Sequence, residues 1–171
     1  MEIQENIVNK VAKSGLVTLD PAEFYVQGER VLYDIKDNLF HGLILREKDF
    51  REFLAENDWS VYQDKYVAIT CTADAIVPAW AYMLLANRMA PYAKDVVFGD
   101  MDVLETVLFA KATANLDVEQ YRDKRMVIKG CGDIPVPVSA YVELASKLTP
   151  VVKSLMFGEP CSTVPIYKRK D

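Results

Sequence analysis

Three cysteines, one histidine and a scatter of aspartates are the residues of this 171-residue chain with chemistry to offer. Cys71, Cys131 and Cys161 are widely spaced and form no C-x-x-C pair. That pattern fits free thiols in a reducing compartment better than a secreted disulfide framework. Thiolates are soft ligands that select zinc, copper(I) and iron–sulfur species. Three of them with one carboxylate can fill a tetrahedral site. The competing reading is structural, because cysteine is among the most buried residue types and packs as a small hydrophobe. A single histidine, His41, excludes a multi-histidine centre within one chain. It reads as a loop residue, with an acid/base role only if the N-terminal segment folds over the site. Gly130-Cys131-Gly132 is a fragment of a glycine-rich phosphate loop, but Pro135 stands where G-x-G-x-x-G needs its third glycine.

These residues gain order from an internal repeat. Asp58, Tyr62, Asp64 and Lys65 recur as Asp117, Tyr121, Asp123 and Lys124, at an offset of 59. With one residue inserted, Val67 and Cys71 recur as Val127 and Cys131. The offset of 59 then resumes: Asp74, Val77, Pro78, Tyr82, Leu85, Pro91, Lys94, Phe98 and Gly99 match Asp133, Val136, Pro137, Tyr141, Leu144, Pro150, Lys153, Phe157 and Gly158. Each copy reads as helix–strand–helix–strand. Glu47–Glu56 and Asp102–Asn115 carry helical apolar spacing. Tyr66–Thr70 and Met126–Lys129 are short apolar runs that suit buried strands. A proline then opens each second helix, about Pro78–Ala90 and Pro137–Leu148, and Pro91 and Pro150 stop them. Asp95–Phe98 and Ser154–Phe157 close the copies.

Alternating strands and helices predict a three-layer α/β fold with a mainly parallel, Rossmann-like sheet built from a tandem duplication. The expected strand order is Asp95–Phe98, Tyr66–Cys71, Met126–Cys131, Ser154–Phe157, with a simple sequential order as the alternative. The chain is read as one domain: an N-terminal extension (1–41), a first repeat (42–100), a second repeat (101–159) and a short tail (160–171). The extension holds a helix near Glu5–Lys13 and strands near Leu16–Leu19 and Arg30–Ile35, which extend or cover a sheet edge. In such a sheet the three thiols fall at the carboxyl edge. Ligands of open α/β sheets bind there, beside the switch point. Asp74, Asp133 and Gly132, with the helix openings at Pro78 and Pro137, are the candidate ligand-binding set, because helix N-termini offer backbone N–H donors to anions. Tyr82 and Tyr141 read as core residues, and Lys94 and Lys153 as solvated charges at the opposite, amino edge.

Composition removes several classes. Lys and Arg number 20 against 25 Asp and Glu, and 51% of the chain is hydrophobic. That is a globular balance, and a net charge of −5 argues against a general nucleic-acid binder. The longest apolar run, Ala75 to Ala86, is too short to span a membrane, for which ~20 residues are needed. The N-terminal residues lack the basic and apolar regions of a signal peptide, so the expected location is cytoplasmic. Neither G-x-S-x-G nor a Walker sequence occurs. Pro160-Cys161 lacks both the second cysteine and the H-x-E of the zinc deaminases.

The strings Ala68-Ile69-Thr70-Cys71-Thr72-Ala73-Asp74-Ala75-Ile76-Val77-Pro78 and Met156-Phe157-Gly158-Glu159-Pro160-Cys161-Ser162-Thr163-Val164-Pro165 resemble a bacterial family catalogued as domain of unknown function 2480. The resemblance covers nearly the whole chain. It implies no activity and transfers no catalytic residue. It does imply an association with sulfur-mobilisation iron–sulfur assembly genes, and so favours the thiol reading. Three functions stand as expectations. The first is a thiol-based metal or iron–sulfur accessory protein using Cys71, Cys131 and Cys161, with zinc or an iron–sulfur species as cofactor and iron–sulfur assembly proteins as partners. The second is an anion- or nucleotide-binding protein or enzyme at the carboxyl edge. The third is a structural or interaction protein that meets a partner or its own copy as a homo-oligomer.

Overall fold

The computed structural model describes residues 15–130, 132–159 and 162–170. The expected helix at Glu5–Lys13 lies outside them. The chain is mixed α/β, with four α-helices and two mostly parallel sheets among the described residues. Its contacts divide it into two compact units. Val26–Leu108 forms a continuous unit, and Met1–Tyr25 with Phe109–Asp171 forms a discontinuous one.

The continuous unit holds β2 (Arg30–Asp34), α1 (Glu47–Glu56), β3 (Tyr66–Thr70), α2 (Ala79–Met89) and β4 (Asp95–Phe98). It also holds the start of α3 (Met101–Thr113), which crosses the unit boundary after Leu108. Its sheet runs β2-β3-β4, all parallel. The middle strand, β3, is buried on both faces, which explains its unbroken apolar run. Val67 and Ile69 face a core with Ile35, Phe50, Leu54, Leu85 and Met89. Tyr66 and Ala68 face a second core with Val97, Leu104 and Leu108. Helix, sheet and helix therefore form three layers within this unit. Trp59 closes the first core's end, with its indole N–H donating to the Leu54 carbonyl at 3.0 Å.

The discontinuous unit holds β1 (Leu16–Leu19), β5 (Arg125–Ile128), α4 (Val138–Leu148), β6 (Ser154–Glu159) and β7 (Ser162–Lys168). Its order is β1-β5-β6-β7, with only the β6–β7 pair antiparallel. Leu19, Met126, Ile128 and Leu155 pack on Leu144 and Leu148 of α4.

The expected single sheet is therefore corrected. β3 and β5 are not neighbours, and each is an interior strand of its own sheet. The reason lies in the segment expected to be an extension. It supplies a parallel partner to each Cys-bearing run, β2 for β3 and β1 for β5, and these occupy the edges the two strands would have used to meet. The tail is also more than a tail, since β7 pairs with β6 along its length. Elsewhere the expected boundaries and the observed ones agree to within one or two residues.

Corresponding positions of the two units make the same local contacts. Asp64 and Asp123 both adopt φ of 60°, a left-handed conformation that a short polar side chain tolerates. Their N–H groups donate to Tyr92 and Val151 carbonyls at 2.9 and 3.0 Å, which fixes each turn against the loop that leaves the following helix. Tyr82 meets Phe98, and Tyr141 meets Phe157, edge-on at 4.9 and 5.4 Å between ring centres. No helix among the described residues is long and apolar enough to cross a membrane.

Candidate functional site

Two aspartates that end strands organise the carboxyl edges. Asp34 is the last residue of β2 and caps the 3-10 turn Ile35–Asn38 by accepting from the Lys36 N–H at 3.0 Å. It also reaches across to the loop after β3, accepting from the Thr72 N–H at 3.1 Å and the Thr72 hydroxyl at 2.5 Å. The Lys36 ammonium stands 3.2 Å away. Burial alone would raise the pKa of this carboxyl. The four hydrogen bonds outweigh it, the Thr72 hydroxyl first among them, and hold the pKa at about 2.

Asp20 occupies the equivalent place after β1. It caps the 3-10 turn Pro21–Phe24 through the Ala22 N–H at 3.0 Å, and it takes the Lys129 ammonium at 2.8 Å. Its pKa is lowered, chiefly by the Lys129 hydrogen bond. The same strand–aspartate–turn device thus latches the edge of each sheet, to a threonine in one unit and to a lysine in the other. Neither aspartate stood among the sequence candidates. The signal was present in two strands that each end in Asp before a turn, Leu16-Val17-Thr18-Leu19-Asp20 and Val31-Leu32-Tyr33-Asp34.

Of the expected thiol constellation only Cys71 is described. In register, Tyr66 stands opposite Asp95 and Arg125 opposite Ser154, so the offset of 59 continues unbroken through the strands. At that offset Gly130, and not Cys131, matches Cys71. The one-residue insertion inferred from matching the cysteines does not exist in the sheets. Cys71 is half-buried against the first core, with its thiol 3.7 Å from the Ala73 carbonyl. Cys131 and Cys161 lie outside the described residues. Among the described residues no group of three His, Cys, Asp or Glu side chains could hold a metal ion.

The other candidates divide. Pro78 and Pro137 are N-cap residues with extended backbone, one position earlier than expected, and no side-chain hydrogen bond caps either helix. Asp74, Asp133 and Gly132 are exposed in the loops that precede those helices. A β-carbon added at Gly132 would meet nothing, so this glycine does not mark a cradle. His41 sits in a surface turn at φ 52°, its ring edge-on to Phe40. Tyr82 and Tyr141 are half-buried against their cores, as expected for packing residues.

A family model matches residues 5–169. The chain belongs to this family. It is described as a protein of unknown function, DUF2480. No curated protein and no solved structure matches the chain. Within this DUF2480 chain, each unit also carries an apolar hollow beside its second helix. In the continuous unit Val77, Ala79, Tyr82 and Phe98 line a shallow hollow of about 290 Å³. In the discontinuous unit Tyr141, Val142, Ala145, Phe157 and Ile166 line one of about 180 Å³. Tyr82 with Phe98 and Tyr141 with Phe157 are equivalent pairs, so a like hollow occurs in each unit.

Proposed function

We propose that this protein is a non-catalytic assembly protein that pairs with a second copy of itself through the apolar face of α4 and β7. The observation that carries the reading is the exposure of that face. Val142 is 65% and Ile166 54% exposed at the hollow lined by Tyr141 and Phe157, with Val138 (76%) one turn before Val142 on α4 and Val164 (59%) two residues before Ile166 on β7. Aliphatic side chains clustered in this way mark interaction surfaces, because monomeric proteins seldom leave large contiguous apolar patches in water. A copy of the chain supplies a surface of the same character. Pairing like face with like face closes a dimer, whereas pairing the α4 face with the α2 face would leave free ends that polymerise. Pro165 interrupts the hydrogen-bonding row of β7, so the contact is one of side chains and not of an added strand.

The matched turns, ring pairs and hollows favour reading the two units as copies of one ancestral unit. Asp34 and Asp20 take up Thr72, Lys36 and Lys129 at the carboxyl edges, so an anion there would rest on the helix N-termini at Pro78 and Pro137. The thiol-based metal or iron–sulfur reading depends on Cys131 and Cys161, because no group of three potential ligands forms among the described residues.

Light scattering on the full chain over a dilution series tests the proposal. A dimer mass for the native chain, and a monomer mass with an unchanged circular dichroism spectrum for Val142→Asp and for Ile166→Lys, is the expected result. A native chain that is monomeric throughout, or variants that keep the native mass, would overturn it.

A further inference from the structure

We infer that the amino edge of the discontinuous unit's sheet is a binding site for a small phosphate monoester with an apolar body. Four strands meet there in one register row: Leu16 opposite Arg125, Arg125 opposite Ser154, and Ser154 opposite Lys168. Because partners in register project to the same side of a sheet, the row presents Arg125, the Ser154 hydroxyl and Lys168 together. Lys153 and Tyr167 complete the rim of a cleft of about 420 Å³, with Met156 and Pro165 in its wall. That volume lies in the range of sites for small organic ligands.

The charge is what marks the cleft. The chain carries a net charge of −5, yet three cations and no carboxylate line this space among the described residues. None of Arg125, Lys153 and Lys168 forms an ion pair among the described residues. The neighbouring acid, Asp123, is held by Arg169 at 2.5 Å. The continuous unit shows what the same edge is like when it serves structure alone. There the row is Arg30, Tyr66 and Asp95. The Tyr66 ring is buried, with the Arg30 guanidinium 5.3 Å and the Lys94 ammonium 5.6 Å from its centre. Arg30 is spent on Glu105 at 2.6 Å, and Lys65 on Glu29 at 3.0 Å. Position for position, the discontinuous unit has leucine for the arginine, arginine for the tyrosine plug, and serine for the aspartate. The plug is gone, no described carboxylate lines the space, and Arg125, Lys153 and Lys168 stand in it, with Lys153 also attracting the neighbouring Asp123.

The ligand's chemistry follows from the lining. Arginine offers a planar fork of donors that matches a phosphate, and lysines add point charges. The Ser154 hydroxyl can donate to a remaining oxygen. Leu16, Met156, Pro165 and the Tyr167 ring give an apolar wall for the esterified group. A dianionic phosphate with an aryl or alkyl body satisfies both halves of the cleft, which a bare inorganic anion does not.

Isothermal titration of the full chain with phenyl phosphate, inorganic phosphate and phenol tests the site. Saturable binding of phenyl phosphate is expected, weaker binding of inorganic phosphate, and none of phenol. Affinity should fall about tenfold or more in Arg125→Gln and again in Lys153→Gln or Lys168→Gln, as for loss of a hydrogen bond to a charged group. Raising the salt should weaken the native interaction. All three positions lie at the sheet's margin, and an unchanged thermal melting profile confirms that each variant folds. No saturable binding of phenyl phosphate at millimolar concentration, native affinity in the folded Arg125→Gln variant, or phenol binding as well as its phosphate ester would each overturn the assignment.

Discussion

Replacing Asp34 by asparagine probes the best-built polar contact of the fold. The carboxylate accepts from Thr72 twice and from the Lys36 N–H, with the Lys36 ammonium beside it. Its pKa stands at about 2 against an ordinary 3.8. At about 1.4 kcal/mol for each pH unit, that gap sets a ceiling near 2.5 kcal/mol on the stability the charge supplies. The side chain is 13% exposed and faces a solvated lysine, so screening reduces the figure to about 1.5 kcal/mol. The folded-state pKa is depressed, so the contribution is full above the unfolded value of 3.8 and disappears as pH falls towards 2. Asparagine keeps one acceptor but loses the charge and one acceptor oxygen.

Urea unfolding of the native chain and of Asp34→Asn, measured side by side at neutral pH and at steps down to pH 2, reads the effect. Other carboxylates titrate in the same range, but they do so in both proteins, and the difference between the two isolates Asp34. The expected gap is about 1.5 kcal/mol at neutral pH and close to zero at pH 2. Thr72→Val should cost less in the Asp34→Asn background than alone, because the two residues share the contact. Equal stability of both proteins at neutral pH, or a gap that does not shrink on acidification, would refute the latch.

Two further outcomes follow from packing. Gly158 lies at φ 123°, and a β-carbon there would come 2.6 Å from the Ser162 carbonyl oxygen, whereas one at Gly132 would meet nothing. Gly158→Ala should therefore cost about 2 kcal/mol or more in thermal or urea unfolding and Gly132→Ala about nothing, and equal effects would contradict the β6–β7 geometry. Thr113 is the single buried polar residue among the described ones, its hydroxyl 2.8 Å from the Phe109 carbonyl and 3.0 Å from the Glu143 carboxylate. Thr113→Val should cost about 1–2 kcal/mol, while a neutral result would mean that the Glu143–Lys147 pair closes over the loss unaided.

The interior of each unit was legible because burial writes a period into the sequence. Val67–Ile69 and Met126–Ile128 are unbroken apolar runs, and the helices that follow them are framed by Pro78 and Pro91, or by Pro137 and Pro150. The partition into two sheets was not legible. Which strand lies beside β3 depends on β2, a five-residue segment whose pairing leaves no mark in its own pattern beyond its apolar content. β7 was missed for a related reason: Pro165 and the exposed Val164 and Ile166 hide the alternation of an edge strand. The strand registers fit a constant offset of 59 better than the inserted residue that matching Cys71 with Cys131 requires. A one-residue slip would turn every later side chain of β5 to the opposite face.

That constraint also bears on where new chemistry can arise in such a pair of units. Met126, Val127 and Ile128 are buried, as are Val67, Ala68 and Ile69 at the equivalent places, so interior positions are held to apolar residues on both faces. The first residue of each strand is freer. Tyr66 is a buried plug while Arg125, at the same register, is exposed, and both strands form. An exposed arginine with no ion pair adds little to stability, since even paired surface charges contribute at most about 1 kcal/mol. Folding therefore does not account for Arg125, Lys153 and Lys168 standing together without a carboxylate. Along the strand row at the amino edge the units share a parallel register but carry Leu16, Arg125 and Ser154 in one and Arg30, Tyr66 and Asp95 in the other, while Lys153 keeps the lysine of Lys94.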